Sequence, residues 1–265
     1  MSAINPEELL LAYRLGIFPM AESRTAEDVL WVRPHERGIL PLDKFHVPRR
    51  LARIIRSDRF QVTADVAFDQ VIRACAESQP DRRETWINEA IIDVFIALHK
   101  RGFAHSVETW QEGRLVGGLY GLSVGAAFFA ESKFSRVTDA SKVALVHLAA
   151  RLKAGGYQLL DAQFPNPHLE QFGAVTVTEE RFQFLLSEAL ARNGNFYWFG
   201  TGGGTSAGGS SVSTEGSGAG AGALAGAGAR LGAAAAAAGG AATTGGTAAA
   251  AAAGSSVLQV ITQTS

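Results

Sequence analysis

The sequence predicts an α+β protein in which helices pack on a twisted sheet and a low-complexity tail follows. Up to about residue 199, segments with helical periodicity alternate with short runs typical of strands. Within 114–135, four glycines interrupt an apolar run, which indicates a strand that another backbone or a ligand approaches closely. Residues 200–265 are mostly Gly, Ala, Ser and Thr, and Glu215 and Arg230 are their only charges.

The composition excludes several classes of protein. The 265 residues allow one or two domains, and the 47% hydrophobic content is enough for a buried core. The net charge of −1 excludes a wholly basic nucleic-acid binder but not a local basic patch. The acidic N-terminus and the lack of ~18 consecutive strongly apolar residues argue against a secretory signal and a membrane span. The single cysteine, Cys75, fits a reducing, cytoplasmic location.

The chain begins with a helix that is followed by two short strands. Asn5 and Pro6 are typical of a helix start, and Gly16 is typical of a helix end. The segments 31–34 and 37–42 are predicted strands with turns around them.

The next predicted helix, from Arg49 to Arg56, carries the one concentrated basic surface of the chain. Arg49, Arg53 and Arg56 recur at helical spacing and share a face, and no acid appears before Asp58. A charged stripe is often only a solvated face. Because this one has a single sign, phosphate binding is an equally open interpretation.

Four predicted elements lie between this helix and the glycine-interrupted run at 114–135. They are a strand at 60–63, helices at 67–76 and 89–101, and a strand at 105–110. His105 has no second His, Cys or acid at ligand spacing, so we expect no metal site there.

Polar side chains are predicted at the ends of two apolar strands, one within 114–135 and one after it. An apolar strand ends at Glu131, a helix is predicted over 140–154, and a strand over 159–164. Alternation along that strand places Asp161 and Gln163 on one face. An acid and an amide at the end of a buried strand are costly unless they are paired, so we look here for the chemistry.

The remaining elements complete an order that suits an acyltransferase-like twisted sheet. A short helix at 166–172, a strand at 175–177 and a helix at 179–192 precede an aromatic end piece at 195–199. The tail from 200 to 265 cannot offset its own ordering entropy and is expected to be disordered.

Acyltransferases of this kind first suggest coenzyme A, whose pyrophosphate sits in an Arg-x-x-Gly-x-Gly/Ala loop at a helix N-terminus. Residues 114–119 fail this pattern at the last position, and residues 151–156 fail it at the first glycine. Residues 136–139, which lie where the loop should be, contain no glycine. A coenzyme A-dependent N-acyltransferase therefore remains only an alternative.

Several motifs lie in order between about Pro6 and Leu190. They are AYRLGIFPM (12–20), RGILPL (37–42), FHV (45–47), TWI (85–87), GGLYG (117–121), ES (131–132), FSR (134–136), DASKVAL (139–145), LDAQ (160–163) and PHL (167–169). Together they resemble the leucyl/phenylalanyl-tRNA–protein transferase family, and they are more specific than any single short motif.

The resemblance implies a function and a domain organisation. Members of the family move leucine or phenylalanine from aminoacyl-tRNA to the N-terminal Arg or Lys of a protein, which marks that protein for degradation by the N-end rule. A small N-terminal domain (1–45) and an acetyltransferase-like, GNAT-like domain (46–199) are expected before the tail (200–265). The expected partners are aminoacyl-tRNA and acceptor proteins. No metal, coenzyme A or membrane is expected, and the protein is expected to be a monomer.

The resemblance also assigns Asp161 and Gln163 to the catalytic centre and Glu131 to substrate holding. The reaction is the aminolysis of an ester, so the acceptor amine must be neutral. A carboxylate with a pKa of about 4 is a poor base for an amine whose pKa is about 8. We therefore expect Asp161 to orient Gln163, whose carbonyl oxygen accepts a hydrogen bond from the attacking amine.

Further binding residues follow from the resemblance, and ordinary core packing is the alternative for each apolar one. Trp86 and Trp31 would flank the adenosine end of the tRNA, and the Arg49, Arg53, Arg56 stripe would contact acceptor-stem phosphates. The apolar positions for the amino-acid side chain would be Leu119, Phe128, Leu148 and Leu160.

One departure from the family concerns the amino-acid pocket. The family usually has Gly-Glu-Ser-Met-Phe-Ser where this chain has residues 130–135, with Lys133 in the place of the methionine. Lys133 either extends to solvent or changes which amino acid fits. The same lysine leaves open a tRNA-binding relative that has lost catalysis.

Overall fold

The structure is a computed structural model that describes residues 4–77, 85–199 and 254–262. Its helices are α1 (Pro6–Arg14), α2 (Arg49–Arg56), α3 (Phe68–Ala76), α4 (Glu89–Lys100), α5 (Ala140–Ala154), α6 (Pro167–Glu170), α7 (Glu179–Leu190) and α8 (Gly254–Thr262). Its strands are β1 (Phe18–Met20), β2 (Leu30–Val32), β3 (Glu36–Ile39), β4 (Gln61–Ala64), β5 (Ala104–Gln111), β6 (Arg114–Val124), β7 (Ala127–Ser135), β8 (Leu159–Asp161) and β9 (Val175–Thr178). The prediction of a mixed α+β protein is confirmed.

A seven-stranded mixed sheet, in the order β4-β5-β6-β7-β8-β3-β9, forms the body of the molecule. All neighbours pair antiparallel except β7 and β8, which are parallel and are connected through α5. Parallel neighbours need such a crossover. The strand β8 ends opposite Phe129, whereas β7 continues to Ser135. The small sheet of β1 and β2 is separate.

Helices cover both faces of the large sheet and enclose two cores. The α5 core contains buried residues of α2, α5 and α8, whereas the α4 core contains buried residues of α1, α3, α4 and α7. Successive residues of β7 alternate between them, so that Phe128 lies in the α5 core and Phe129 in the α4 core.

The glycines of β6 lie where other groups approach the strand closely. A Cβ atom on Gly117 would lie 2.6 Å from the Cβ of Ala140 at the start of α5. A Cβ atom on Gly121 would lie 2.3 Å from the carbonyl oxygen of Phe129 on β7. The prediction of close approach is therefore confirmed, and at these two positions the approaching groups belong to the protein itself.

A β-bulge interrupts the pairing of β6 with β7. Tyr120 pairs with Ser132 and Gly121 pairs with Ala130, so Glu131 is the extra residue on β7. Bulges of this kind re-aim a side chain, and they are common beside active sites.

The helix predictions were more accurate than the prediction for β8. The bounds of α2 and α5 match the predicted helices, and Asn88 caps α4 by accepting a hydrogen bond from Ile91 N. The strand predicted over 159–164 ends at Asp161. Gln163 adopts a left-handed conformation with φ of 60°, so the expected alternation between Asp161 and Gln163 does not hold.

The prediction of a disordered tail is wrong for residues 254–262, which form α8. The side chains of Val257, Leu258 and Ile261 give this helix one apolar face, which is buried in the α5 core. Residues 200–253 and 263–265 of the predicted tail lie outside the described residues. Among the helices that the structure describes, none has the length and apolar character that crossing a bilayer requires.

Candidate active site

A cavity of about 300 Å³, here called the reaction cavity, lies beyond the carboxyl end of β8 and beside the bulged middle of β7. Its lining combines two polar side chains from the predicted site with aromatic and apolar side chains. It is lined by Phe18, Met20, Trp86, Glu131, Ala162, Gln163, Phe164, Pro165 and Asn166.

The side chain of Gln163 is held in a single orientation within this cavity. Its Nε2 donates a hydrogen bond to Glu131 Oε1 at 3.0 Å, and its backbone N donates to Asp161 Oδ1 at 2.9 Å. Its backbone carbonyl accepts from Gly38 N on β3 at 3.1 Å. Because the amide nitrogen is committed to Glu131, the carbonyl oxygen Oε1 of Gln163 is left to accept a hydrogen bond from a ligand.

Asp161 is paired with Arg37 and does not line the reaction cavity. Arg37 Nε donates to Asp161 Oδ1 at 2.9 Å and Arg37 Nη2 donates to Oδ2 at 2.7 Å, which is a bidentate pair. The two side chains are 1% and 0% exposed. The Arg37 guanidinium also donates to Gly16 O and packs over the rings of Phe18 and Phe182.

Asp161 contacts Gln163 through the main-chain N of Gln163, and its role in orienting the Gln163 side chain stays a prediction. Arg37 was not among the predicted site residues. The available signal was a lone arginine that precedes an otherwise apolar segment, 37–42.

Glu131, the bulged residue, faces the cavity as a half-buried carboxyl. Burial raises its pKa to about 8, and the charge of Asp161 adds to the rise. The nearby Tyr13 hydroxyl, the charge of Arg37 and hydrogen bonding from Gln163 act in the opposite direction, but burial is the larger effect. Glu131 is therefore mostly neutral at pH 7.

This shift predicts a pH-dependent stability. The folded protein holds the Glu131 proton between its ordinary pKa of 4.5 and about 8, whereas the unfolded chain releases it. The stabilisation is complete below pH 4.5 and is lost as the pH rises through about 8. We expect the free energy of unfolding of the parent to fall relative to Glu131→Gln by up to a few kcal/mol across this window.

Urea unfolding of both proteins between about pH 5 and pH 8.5 measures this difference. Glu112→Gln, an exposed glutamate in the β5–β6 turn, serves as the control and should keep a constant difference from the parent. A constant difference for Glu131→Gln as well would show that Glu131 titrates normally.

A second cavity of about 300 Å³, here called the Lys133 cavity, adjoins the first, because Asn166 lines both. It is lined by Lys133, Ser141, Lys142, Leu145, Asn166, His168, Leu169, Gln171 and Phe172. Lys133 is exposed, and desolvation by surrounding atoms lowers the pKa of its ammonium below the ordinary value.

The four predicted apolar pocket residues are core residues. Leu119, Phe128, Leu148 and Leu160 are at most 3% exposed and belong to the α5 core. None of them lines the reaction cavity or the Lys133 cavity. Leu119 is the register partner of Lys133, and Leu148 follows the cavity residue Leu145 by one helical turn.

The structure separates the two predicted tryptophans. Trp86 lines the reaction cavity, whereas Trp31 lies on β2, 46% exposed, paired with Pro19 of β1. Phe18 and Met20 of β1 also line the cavity, and Phe18 is at the same time a buried member of the α4 core, against which Met20 packs.

The arginines of α2 are exposed, and none forms an ion pair with another described residue. Arg49 and Arg56 line a third cavity of about 470 Å³, here called the basic cavity, and Arg53 lies outside its lining. The lining consists of Asp43, Lys44, Phe45, His46, Val47, Arg49, Ala52, Arg56, Leu258, Ile261 and Thr262.

His105 contacts Asp65 and Phe196 inside the protein. Its Nδ1 lies 2.7 Å from Asp65 Oδ2, and its ring stacks on Phe196 at 4.0 Å between centroids. Within the described residues, no group of three or more His, Cys, Asp or Glu side chains is placed to hold a metal ion.

Comparison with known proteins gives one family. Residues 39–187 match the family model described as leucyl/phenylalanyl-tRNA protein transferase, and residues 2–35 match the model of its N-terminal domain. A relative from Paramagnetospirillum magneticum is 56% identical over 199 residues, which are 75% of this chain and 94% of the relative. A relative from Rhizorhabdus wittichii is 57% identical over 190 residues, which are 72% of this chain and 77% of the relative. Both are named leucyl/phenylalanyl-tRNA–protein transferase.

Among solved structures, the C-terminal domain (DUF2156) of a lysylphosphatidylglycerol synthetase from Agrobacterium fabrum matches 70% of this chain and 62% of its own length, at 12% identity and a TM-score of 0.32. The acetyltransferase-like architecture stays a prediction.

Proposed function

Because the chain belongs to the leucyl/phenylalanyl-tRNA–protein transferase family, we propose that it transfers leucine or phenylalanine from aminoacyl-tRNA to the N-terminal Arg or Lys of acceptor proteins. The protein is an aminoacyltransferase that acts in the N-end rule pathway. A new peptide bond forms between the acceptor nitrogen and the donor carbonyl carbon as the ester bond to the tRNA breaks. The ribose oxygen leaves with a proton that comes from the attacking amine.

The observation that carries this proposal is the fixed amide of Gln163 at the reaction cavity. Its carbonyl oxygen accepts a hydrogen bond from the acceptor α-amine and directs the nitrogen lone pair at the donor ester. Holding the two reactants in this geometry makes the reaction effectively unimolecular. In this proposal, positioning supplies most of the rate acceleration. Asp161 and Arg37 act as positioning residues, since both are fully buried behind Gln163.

Glu131 contributes through its neutral form. An ionised carboxylate beside the acceptor would stabilise the ammonium form of the amine, which cannot attack. The raised pKa of Glu131 keeps the carboxyl neutral at pH 7, so the amine loses its proton more easily there. Glu131 also anchors the Gln163 amide.

In this proposal, each of the two adjoining cavities receives one part of the donor. Trp86 and Phe164 offer aromatic surfaces for the terminal adenine in the reaction cavity, where the ester would lie. The donor side chain enters the adjoining Lys133 cavity, and Leu119 and Leu148 back its wall. The arginines of α2 bind tRNA phosphates.

The test is transfer of labelled phenylalanine or leucine from charged tRNA to a peptide that begins with arginine. Transfer to this peptide, and none to a peptide that begins with an acetylated arginine, is the expected result. The absence of transfer with both donors would contradict the proposal. Salt-sensitive tRNA binding without any turnover would instead favour a relative that has lost catalysis.

Lys133 predicts an effect on the donor. Replacing Lys133 with methionine should raise kcat/KM for leucyl and phenylalanyl donors by about tenfold, because an apolar wall replaces an ammonium that resists desolvation. The measurement is initial-rate transfer with each donor, and Lys100→Met, at the exposed end of α4, is the control. Unchanged kinetics for Lys133→Met would show that the donor side chain does not reach this cavity.

A further inference from the structure

The C-terminal helix α8 lies beyond residues 2–35 and 39–187, which the family models match, and it is docked on the body of the protein. Val257 and Leu258 are 2% and 6% exposed, and both belong to the α5 core. At the other end of the helix, Lys153 Nζ of α5 donates a hydrogen bond to Ile261 O at 2.8 Å. The helix is therefore attached along its length.

The start of α8 contacts the end of the basic helix α2. Gly254 N donates to Oδ1 of Asp58, which follows α2, at 3.1 Å. A Cβ atom on Gly254 would lie 2.1 Å from the carbonyl oxygen of Ile55. Since a backbone atom cannot move aside cheaply, the two helices can pack this closely only with glycine at this position.

The basic cavity lies between these same elements. Arg49 and Arg56 of α2, with Lys44 and His46, bring positive charge to its lining, against the single carboxylate of Asp43. Leu258, Ile261 and Thr262 of α8 supply an uncharged wall. Unpaired cations around a concavity of about 470 Å³ favour an anion, and arginine forks suit phosphate oxygens.

The charge of α8 indicates whether this helix supports or prevents the binding of an anion in the basic cavity. The segment 254–262 contains no charged residue, and it leaves the arginines of α2 exposed. A segment that occupied the site in place of an anion would be expected to present acids to these arginines. Instead α8 covers the apolar side of α2 and supports the helix against α5.

We propose that α8 is part of the tRNA-binding surface: it holds α2 in place and forms the apolar wall of a site for a backbone phosphate of the donor tRNA. This inference rests on the proposed function for the identity of the donor. It assigns a role to a helix that the tail composition alone did not reveal.

The first test is Gly254→Ala in the full-length chain, with Ser255→Ala, exposed on the same helix, as the matched control. Amide hydrogen exchange of residues 254–262 reports whether α8 has left the body. We expect the Kd for tRNA to rise about five- to tenfold in Gly254→Ala, and the slope of log K against log salt to lose about one unit. The KM for charged tRNA should rise in parallel while kcat is retained.

A second pair of variants covers the case in which Gly254→Ala stays docked. Leu258→Asp places a charge in the buried face, and Gln259→Asp places the same charge on the exposed face one residue away. Only Leu258→Asp should undock α8 and weaken tRNA binding beyond the electrostatic effect that both share.

Undocked α8 with an unchanged Kd for tRNA would overturn the inference, and so would a lower Kd, which would make α8 a cover over the site. The two proposals can fail separately. A parent protein that binds tRNA in an α8-dependent manner but transfers nothing supports this inference and contradicts the proposed function. A parent protein that transfers normally, together with undocked variants that bind tRNA equally well, supports the proposed function and contradicts this inference.

Discussion

Replacing Gln163 with glutamate is expected to lower the rate of aminoacyl transfer by about 100- to 1000-fold, although the side chain keeps its shape. The amide that donates to Glu131 Oε1 would become a second carboxyl at 3.0 Å. Two carboxyl groups this close share one proton, so the pair carries a negative charge at pH 7. That charge favours the ammonium form of the acceptor amine and removes the neutral acceptor oxygen that positions it.

Single-turnover transfer of phenylalanine to an arginine-initiated peptide measures this effect directly, because it isolates the chemical step from product release. Gln158→Glu is the matched control, since Gln158 is exposed and its side chain donates to Gly156 O of its own turn. A loss below about tenfold for Gln163→Glu would show that the amide does not contact the acceptor.

The second large effect concerns stability. Replacing Arg37 with methionine is expected to lower the free energy of unfolding by about 3–5 kcal/mol, because Asp161 would be left as an uncompensated buried charge. Both partners of this pair are at most 1% exposed, so water cannot take the place of the guanidinium. Urea or guanidinium unfolding at constant pH measures the change.

Arg33→Met provides the matched control for that experiment. Arg33 pairs with Glu179 at 3.6 Å, but the two side chains are 44% and 31% exposed. Its removal should cost less than about 1 kcal/mol. Adding Asp161→Leu to Arg37→Met should recover much of the loss, since an apolar pair replaces the orphaned charge. A loss of less than about 1 kcal/mol for Arg37→Met alone would contradict this account of the pair.

The sequence predicted the helices well because residue spacing and capping residues, which define a helix, lie within a few positions of each other. The arginine spacing of α2 and the Asn5–Pro6 start of α1 are short-range features, and the structure shows both helices, with Asn5 as the cap of α1. The identity of the polar pair at the end of β8 was also visible in the sequence. Its geometry was not, because the left-handed conformation of Gln163 is held by Gly38 of β3, which is distant in the chain.

The other features that escaped prediction also depend on distant partners. Arg37 and Asp161 are separated by 124 positions, and no pattern near either one reveals the other. The extra residue at Glu131 is recognisable only against the register of β6. The apolar residues of α8 were visible as a small patch, but the groove that receives them is built from α2 and α5.

The bulge at Glu131 has a consequence for how this region of the chain can vary. Before it, Phe128 lies in the α5 core, and after it Lys133 lines a cavity on the same side, five positions later. An uninterrupted strand would send residues separated by an odd number to opposite faces. Deleting one residue at the bulge would therefore exchange the faces of Lys133 and Phe134 and drive an ammonium into the α4 core. A substitution at 133 changes one side chain of a cavity lining, whereas a change in the length of β7 would disrupt both cores at once.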